Sequence, residues 1–381
     1  MTELGPLLDA MIARIEEVRA PVDSRIERAL RSVPRHAYVP PLALIPADGD
    51  GGRPPFLIDR DTDPGLWMTS VYTETAIVTQ LDDGATGLAT LDGNYSSSSS
   101  APATVADLLE LLDPQPGDRV LEIGTGTGWT AALLCHLAGE QNITSVEVDP
   151  VLAEAAAKNL AEAGLRPHLV VGDGAEGVAE RGPFDRVHAT CAVRTVPHAW
   201  IQQCRPGAVI VTPMHTGVGD GHVLRLVVLA DGTAQGRFRE YADYMALRSQ
   251  RPVYLPDPEE VQLRESTTRV DPRMIAGAPP GARLTIAALT GLRLDTRTEP
   301  GRFLAWVSST TRAWEKALVI WEEGKTEYTL YQLSDRPVWD EVVAAYFQWV
   351  RWGEPRRDRF GMTVGPQEQR YWLDTPSRVI G

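Results

Sequence analysis

A run of alternating glycines with an acidic residue before it is the stretch of this chain best suited to binding chemistry. Gly124, Gly126 and Gly128 follow the apolar segment Val120–Ile123 directly. Glycines let the backbone approach a ligand closely, and free N–H groups at the start of the next helix can bind a carboxylate or phosphate. A dinucleotide fingerprint would need a further glycine where Trp129 stands. The spacing therefore predicts a loop for a different nucleotide-like cofactor.

A carboxylate stands where a ribose partner is expected, about twenty residues after the loop. Glu147 ends an apolar, β-branched run, and its two oxygens can accept hydrogen bonds from both ribose hydroxyls. Asp149 and Pro150 then read as the cap and first residue of a helix that stops at Gly164. A third strand ends at Asp173-Gly174, at the same predicted edge.

These elements predict an α/β fold with a Rossmann-like core. Further strands are predicted over 184–190 and 208–214, with a hairpin over 223–247. Helical spacing dominates residues 1–40, and short apolar runs with one amphipathic helix, 338–352, follow residue 250. We predict an N-terminal helical, substrate-proximal segment (1–100), a cofactor-binding core (101–250) and a C-terminal α+β appendage (251–381), which is a candidate for peptide recognition.

The composition of the chain limits the classes of partner that it could bind. The 381 residues carry a net charge of −14, which disfavours nucleic acid, and no apolar run approaches the twenty residues of a membrane span. Cys135, Cys191 and Cys204 lack metal-ligand spacing and suit a reducing cytoplasm, so we expect a cytoplasmic protein without a metal. The sequence gives no indication of oligomeric state.

The glycine loop resembles the S-adenosylmethionine loop of class I methyltransferases, and four ordered segments resemble protein-L-isoaspartate O-methyltransferases. These segments are VPRHAYVP, Tyr72-Thr73-Glu74, SSSAP before the helix that leads to VLEIGTGTGW, and FDRVHAT with the later RPGAVIVTP. The resemblance implies the class I fold and S-adenosylmethionine as cofactor. It assigns the cofactor to Glu122, Gly124, Thr125, Gly126, Gly128, Glu147, Val148, Asp173 and Gly174.

The same resemblance assigns the acceptor carboxylate to the serine tract. Ser100 takes the place of the serine in the family pattern T-I-S-x-P, with Ser99 before it, although a flexible linker is the ordinary interpretation of such a tract. Tyr72 and Glu74 are left open between shaping the acceptor pocket and ordinary strand packing. Arg194 is expected to pair with the substrate carboxylate or a neighbouring acid, and Arg35 and His36 are left open between substrate binding and packing.

Departures from the family pattern surround the acceptor. Ala103 replaces the usual aromatic or histidine, and Arg194 ends a stretch that is normally Ala-Ala-Pro. With the C-terminal extension, the layout is similar to actinobacterial homologues of peptide natural-product pathways, which make graspetides or lanthipeptides. That similarity implies methylation of an aspartate in a modified, macrocyclised precursor peptide, leading to an aspartimide. The alternatives are housekeeping isoaspartyl repair, methylation of a small molecule, or a non-catalytic peptide-binding partner on the same fold.

Overall fold

The computed structural model describes residues 4–19, 21–48, 52–252, 263–312 and 314–381. Its strands form a ten-stranded sheet flanked by sheets of four and five strands. The predicted α/β architecture, a Rossmann-like core with N-terminal helices and a C-terminal α+β appendage, is confirmed. In the described part of the chain, no helix has the length and apolar character needed to cross a bilayer.

The N-terminal segment packs two helices against the core and then forms the four-stranded sheet, in the order β2-β1-β3-β4. Its elements are α1 (Leu4–Val18), α2 (Ser24–Ser32), β1 (Leu42–Ile45), β2 (Phe56–Asp59), α3 (Pro64–Val71), β3 (Ile77–Leu81) and β4 (Tyr95–Ser99).

Two details of this segment differ from what the sequence pattern indicates. The strand-like run over 71–81 becomes β3 only from Ile77, because Asp63 caps a helix that Pro64 begins. The serine tract is no linker, since β4 pairs antiparallel with β3 along residues 95–99.

The core alternates strands and helices. Its elements are α4 (Pro102–Leu112), β5 (Val120–Ile123), α5 (Trp129–Ala138), β6 (Ile143–Glu147), α6 (Pro150–Glu162), β7 (His168–Val171), β8 (Phe184–Ala189), α7 (His198–Gln202), β9 (Cys204–Met214), β10 (His222–Val228) and β11 (Ala234–Tyr241). Strand β5 pairs in parallel with both β6 and β8. The carboxyl ends of these strands, and the loops after them, therefore meet at one edge.

The C-terminal region forms the five-stranded sheet and then returns to the core. Its elements are β12 (Arg264–Thr268), α8 (Pro272–Ala276), α9 (Pro280–Thr290), β13 (Leu292–Glu299), β14 (Arg302–Ser309), β15 (Lys316–Glu322), β16 (Tyr328–Gln332), α10 (Val338–Arg351), β17 (Phe360–Val364), β18 (Gln369–Leu373) and β19 (Val379–Ile380). Strand β17 pairs antiparallel with β11, so the hairpin β10–β11 does not end the central sheet.

The hydrophobic cores follow this topology. One face of the central sheet packs against α4, α5 and the N-terminal helices. The other face buries Trp200 and Phe238 together with Trp349 and Phe360 from the C-terminal region. Residues on both sides of the predicted boundary at 250 thus share one core, and residues 253–262, just after it, lie outside the described residues.

Candidate active site

A pocket opens at the carboxyl ends of β5 and β6 and is bounded by the glycine loop on one side and the serine tract on the other. Gly124 and Gly126 have positive φ angles of 92° and 54°, which side chains resist. At Gly124 a Cβ would lie 2.5 Å from the Thr190 hydroxyl oxygen. The loop therefore requires glycine at position 124, because a side chain there would collide with Thr190.

Glu147 lines this pocket and fixes the loop at the same time. One carboxylate oxygen accepts a hydrogen bond from the Gly126 N–H at 2.8 Å, and the other accepts from the Asp149 N–H at 3.1 Å. Asp149 in turn caps α6 through the N–H groups of Val151 and Leu152. The structure thus places Glu147 beside Thr125, Gly126 and Val148, as the sequence predicts for the cofactor residues.

Glu122 lies beneath the loop and not in the pocket wall. It is fully buried, accepts a hydrogen bond from the Ser145 hydroxyl, and leaves Oε1 without a partner in the described structure. Ser145 also hydrogen-bonds the Thr125 hydroxyl at 2.6 Å. Burial raises the pKa of Glu122 to about 8. Glu122 is therefore linked to the glycine loop through the hydroxyls of Ser145 and Thr125.

The remaining predicted cofactor residues divide into lining and supporting positions. Gly174 lines the pocket, whereas Asp173 accepts hydrogen bonds from the Ala175 N–H and the Ser249 hydroxyl behind it. Gly128 is the N-terminal cap of α5 with a φ of 92°, packed against Leu160 rather than lining the pocket. Gly128 therefore contributes to this region only through its backbone conformation at the start of α5.

Ser99 and Ser100 lie across the pocket from the glycine loop, at the junction of β4 and α4. The phenol of Tyr244, a residue that the sequence gives no reason to select, contacts the Ser100 side chain. Burial raises the pKa of Tyr244 to about 12 and this contact opposes the shift. Ser100 and Tyr244 therefore form a pair of hydroxyl groups at this wall of the pocket.

Arg35 holds the serine tract in place. Its guanidinium is completely buried and donates to the carbonyl oxygens of Ser99 and Ser100 at 2.9 and 2.8 Å, and to those of Val71 and Thr75 at 2.9 Å. Burial lowers its pKa to about 10. Of the two roles left open for Arg35, the structure shows packing and backbone support.

Tyr72, His36 and Glu74 form a second supporting group outside the pocket. The Tyr72 hydroxyl lies 2.7 Å from His36 Nδ1, and Tyr72 is buried. Glu74 accepts hydrogen bonds from the Ala103 N–H at 2.9 and 3.0 Å, at the start of α4. These side chains shape the surroundings of Ser100 without facing the pocket themselves.

Arg194 does not join Ser100 but lines a neighbouring cavity, formed with His215 and with residues of β13, β14 and β15. Its main chain is held by Gln250, whose amide oxygen accepts hydrogen bonds from the N–H groups of Arg194 and Thr195. Ala246 lines both cavities, so they adjoin.

Several pocket residues belong to no motif that is recognisable in the sequence. Cys191 lines the pocket after β8, and burial raises the pKa of its thiol to about 12. Arg248 and Arg251 line it from beyond β11, and both pair with Asp83 of the N-terminal segment. The sequence marks Arg248 and Arg251 only as two cations three residues apart in an acidic chain.

Comparison with known proteins identifies the family. A model of the protein-L-isoaspartate (D-aspartate) O-methyltransferases matches residues 68–251. The chain is 30% identical over 253 residues to the protein-L-isoaspartate O-methyltransferase of Aeropyrum pernix, covering 65% of this chain and 81% of the relative. This chain belongs to the protein-L-isoaspartate O-methyltransferase family. A relative from Staphylothermus marinus is 34% identical over 211 residues, which are 53% of this chain and 75% of the relative.

The fold of a solved protein-L-isoaspartate O-methyltransferase extends over nearly the whole chain. It matches with a TM-score of 0.54 and 20% identity, covering 97% of this chain and all of the other. The C-terminal region is therefore compatible with the family fold and does not by itself set this methyltransferase apart.

The pocket fits S-adenosylmethionine, the cofactor of this family of carboxyl O-methyltransferases. Gly124 and Gly126 line it with backbone and no side chain, and Glu147 presents a carboxylate suited to ribose hydroxyls. As a member of this family, the chain is a methyltransferase that acts on carboxyl groups of protein or peptide substrates.

Proposed function

We propose that this enzyme methylates the side-chain carboxylate of an aspartate in a ribosomally made, macrocyclised precursor peptide. The observation that carries the proposal is the position of Ser100, which faces the cofactor pocket at the start of α4 with Tyr244 against it. The sequence departure at Ala103 lies next to that position and the departure at Arg194 lies in the adjoining cavity, while the residues around the glycine loop follow the family pattern.

Methyl transfer to a carboxylate requires the protein mainly to position the two reactants. A carboxylate is ionised at neutral pH and needs no general base. When bound, S-adenosylmethionine supplies the methyl group that a carboxylate oxygen takes up as an ester. The hydroxyl of Ser100 would donate to the second oxygen and thereby orient the first. Arg35 holds the Ser100 carbonyl, so the hydroxyl is presented by a fixed backbone.

The ester would then react within the peptide. The backbone nitrogen of the following residue attacks the ester carbonyl, loses its proton, and expels the methoxy group as methanol. The product is a five-membered aspartimide. This step needs no further enzyme group, because methanol is a much better leaving group than the oxide of a free carboxylate.

Isoaspartyl repair is a second candidate function, favoured by the relatives. Two of them, 30% and 34% identical, are named protein-L-isoaspartate O-methyltransferases. A repair enzyme would accept short linear peptides that carry an isoaspartyl residue, with no requirement for a ring.

One experiment separates these functions. The enzyme is incubated with S-adenosylmethionine and, in parallel, a linear isoaspartyl hexapeptide, a linear aspartate-containing precursor peptide, and the macrocyclised form of that precursor. Mass spectrometry follows the gain of one methyl group and the later loss of methanol. Methylation of the macrocycle alone supports the proposal. Efficient turnover of the hexapeptide with none of the macrocycle would establish repair instead.

A further inference from the structure

The phenol of Tyr244 stands behind Ser100 at the wall of the cofactor pocket. Ser100 lines the pocket, as do Met245 and Ala246, whereas the Tyr244 side chain does not. The phenol is in hydrogen-bonding contact with the Ser100 side chain. Tyr244 can therefore act on a bound acceptor only through Ser100.

The two serines predicted for the acceptor site have different partners. The Ser99 hydroxyl is buried and accepts a hydrogen bond from Arg35 Nε at 3.1 Å. Among the described residues, Tyr244 is the only side chain in hydrogen-bonding contact with the Ser100 hydroxyl. A serine hydroxyl rotates to suit its partners, so the direction of the Ser100 hydroxyl depends on Tyr244.

The backbone around Tyr244 is fixed to the core. Its carbonyl oxygen accepts a hydrogen bond from His215 Nε2 at 2.8 Å. The Met245 carbonyl accepts from the Ala192 N–H, and the Leu247 N–H donates to the Ala192 carbonyl, both at 2.8 Å. The ring of Tyr244 packs against the core that α4 and α5 form with the N-terminal helices. The phenol is therefore held in place before any ligand binds.

The phenol is neutral at physiological pH and has a proton to donate. Burial and the nearby carboxylate of Asp107 raise the pKa of Tyr244 to about 12. If the phenol donates to Ser100 Oγ, the serine proton is free to donate to a carboxylate oxygen. Two hydrogen bonds joined in this way polarise and strengthen each other.

We propose that Tyr244 is a positioning residue for carboxyl methylation, whose phenol donates to Ser100 Oγ and directs the Ser100 hydroxyl towards one oxygen of the acceptor carboxylate. The inference rests on the acceptor role proposed for Ser100 and deepens it. The other carboxylate oxygen forms the bond to the methyl carbon while the bond from that carbon to sulfur breaks and leaves its electron pair on sulfur. No proton moves, so both hydroxyls keep theirs.

The first test removes the phenol oxygen and keeps the ring. In Tyr244→Phe, kcat should fall about threefold to tenfold, because one neutral hydrogen bond is lost. It is measured with S-adenosylmethionine and either the isoaspartyl hexapeptide or the macrocycle, whichever is the better substrate. In a Ser100→Ala background the same change should have no further effect, because Tyr244 acts through Ser100. Tyr241→Phe, at an exposed tyrosine of β11, is the control and should leave kcat unchanged.

A second measurement reports the contact without substrate or turnover. 3-Fluorotyrosine is placed at position 244 alone, and its fluorine resonance is recorded in the full chain. The resonance should shift in Ser100→Ala and return towards its original position in Ser100→Thr, which restores a hydroxyl. Ser96→Ala removes another hydroxyl of the pocket wall, one that bonds Gln80 and the Asp83 N–H, and should leave the resonance in place.

Three results would overturn the inference: wild-type activity of Tyr244→Phe, additive losses of rate in the double variant, or a fluorine resonance that does not respond to Ser100→Ala. A fall in affinity for S-adenosylhomocysteine as large as the fall in kcat would also overturn it, because the phenol would then support the cofactor pocket. Methylation of neither peptide would contradict the proposed function, whereas the fluorine measurement would still test the contact between Tyr244 and Ser100.

Discussion

At the scale of single residues, Ser100 is the side chain on which the proposed chemistry depends most. Ser100→Ala should lower kcat about 10- to 100-fold, because a hydrogen bond to a charged group contributes about 1.5–3 kcal/mol. The affinity for S-adenosylhomocysteine, measured by calorimetry, should not change. Ser100→Thr keeps the hydroxyl and should recover part of the rate. A fully active alanine variant would contradict the proposed role.

Glu122 makes the stability of the protein dependent on pH. Its pKa rises from the usual value of an unfolded chain, near 4.5, to about 8 through burial. Between these values the folded state binds more protons than the unfolded state, so the free energy of unfolding falls as the pH rises from about 4.5 to about 8. Below that window the carboxyl is neutral in both states.

Glu122→Gln should therefore flatten this pH dependence. The amide oxygen can still accept the Ser145 hydroxyl, and no charge has to be buried. We expect the melting temperature of the variant to exceed that of the wild type at pH 9 and to approach it or fall below it at pH 5. Thermal unfolding of both proteins is measured at both pH values. If the melting temperatures of variant and wild type differ by the same amount at pH 5 and pH 9, this explanation is excluded.

At the scale of elements, Arg35 joins β4, α4 and the turn after α3. Lysine has one ammonium group and cannot reproduce hydrogen bonds to Val71, Thr75, Ser99 and Ser100 at once. Arg35→Lys should lower the free energy of unfolding by about 3 kcal/mol. Arg31→Lys, at an exposed position on α2, should lower it by less than about 1 kcal/mol. Urea unfolding of the two variants makes the comparison.

Ion pairs across the cofactor pocket connect the segment after β3 to the segment after β11. Asp83 pairs with Arg251 at 2.6 Å and with Arg248 at 3.1 Å. Asp83→Asn should raise the dissociation constant of S-adenosylhomocysteine about two- to fivefold and make it less sensitive to salt, because screening acts on the lost pairs. Calorimetry at 0.05 and 0.5 M salt tests this, with Asp92→Asn on the same segment as control. An unchanged constant would separate these pairs from cofactor binding.

Local sequence patterns were sufficient to predict the elements around the cofactor pocket. The run from β5 through the glycine loop to β6 and Glu147 is contiguous, so spacing alone places its residues at one edge. Tyr244 reaches Ser100 from 144 positions along the chain, and Arg194 and Lys316 line one cavity although they are far apart in the sequence. Such contacts arise from long-range strand pairing and packing, which a single sequence does not encode in any local period.

At the scale of the whole molecule, the C-terminal region completes the core. Strand β17 pairs with β11, and Phe360, Met362 and Leu373 are buried against the central sheet. A chain that ends at residue 251 would leave the edge of β11 unpaired and this apolar face uncovered. It should aggregate or unfold without cooperativity in calorimetry. Cooperative melting within a few degrees of the full chain would show that the core folds alone.

The thiol of Cys191 is a second group in the pocket that could compete with an oxygen nucleophile for a methyl group. Thiolates compete strongly for electrophilic carbon, and this side chain lines the same pocket as the glycine loop. Its protonated form persists at any physiological pH, because burial and the nearby acids Glu147 and Asp173 all disfavour a further negative charge. The raised pKa of Cys191 therefore disfavours the thiolate that would compete with a carboxylate oxygen for an electrophilic methyl group.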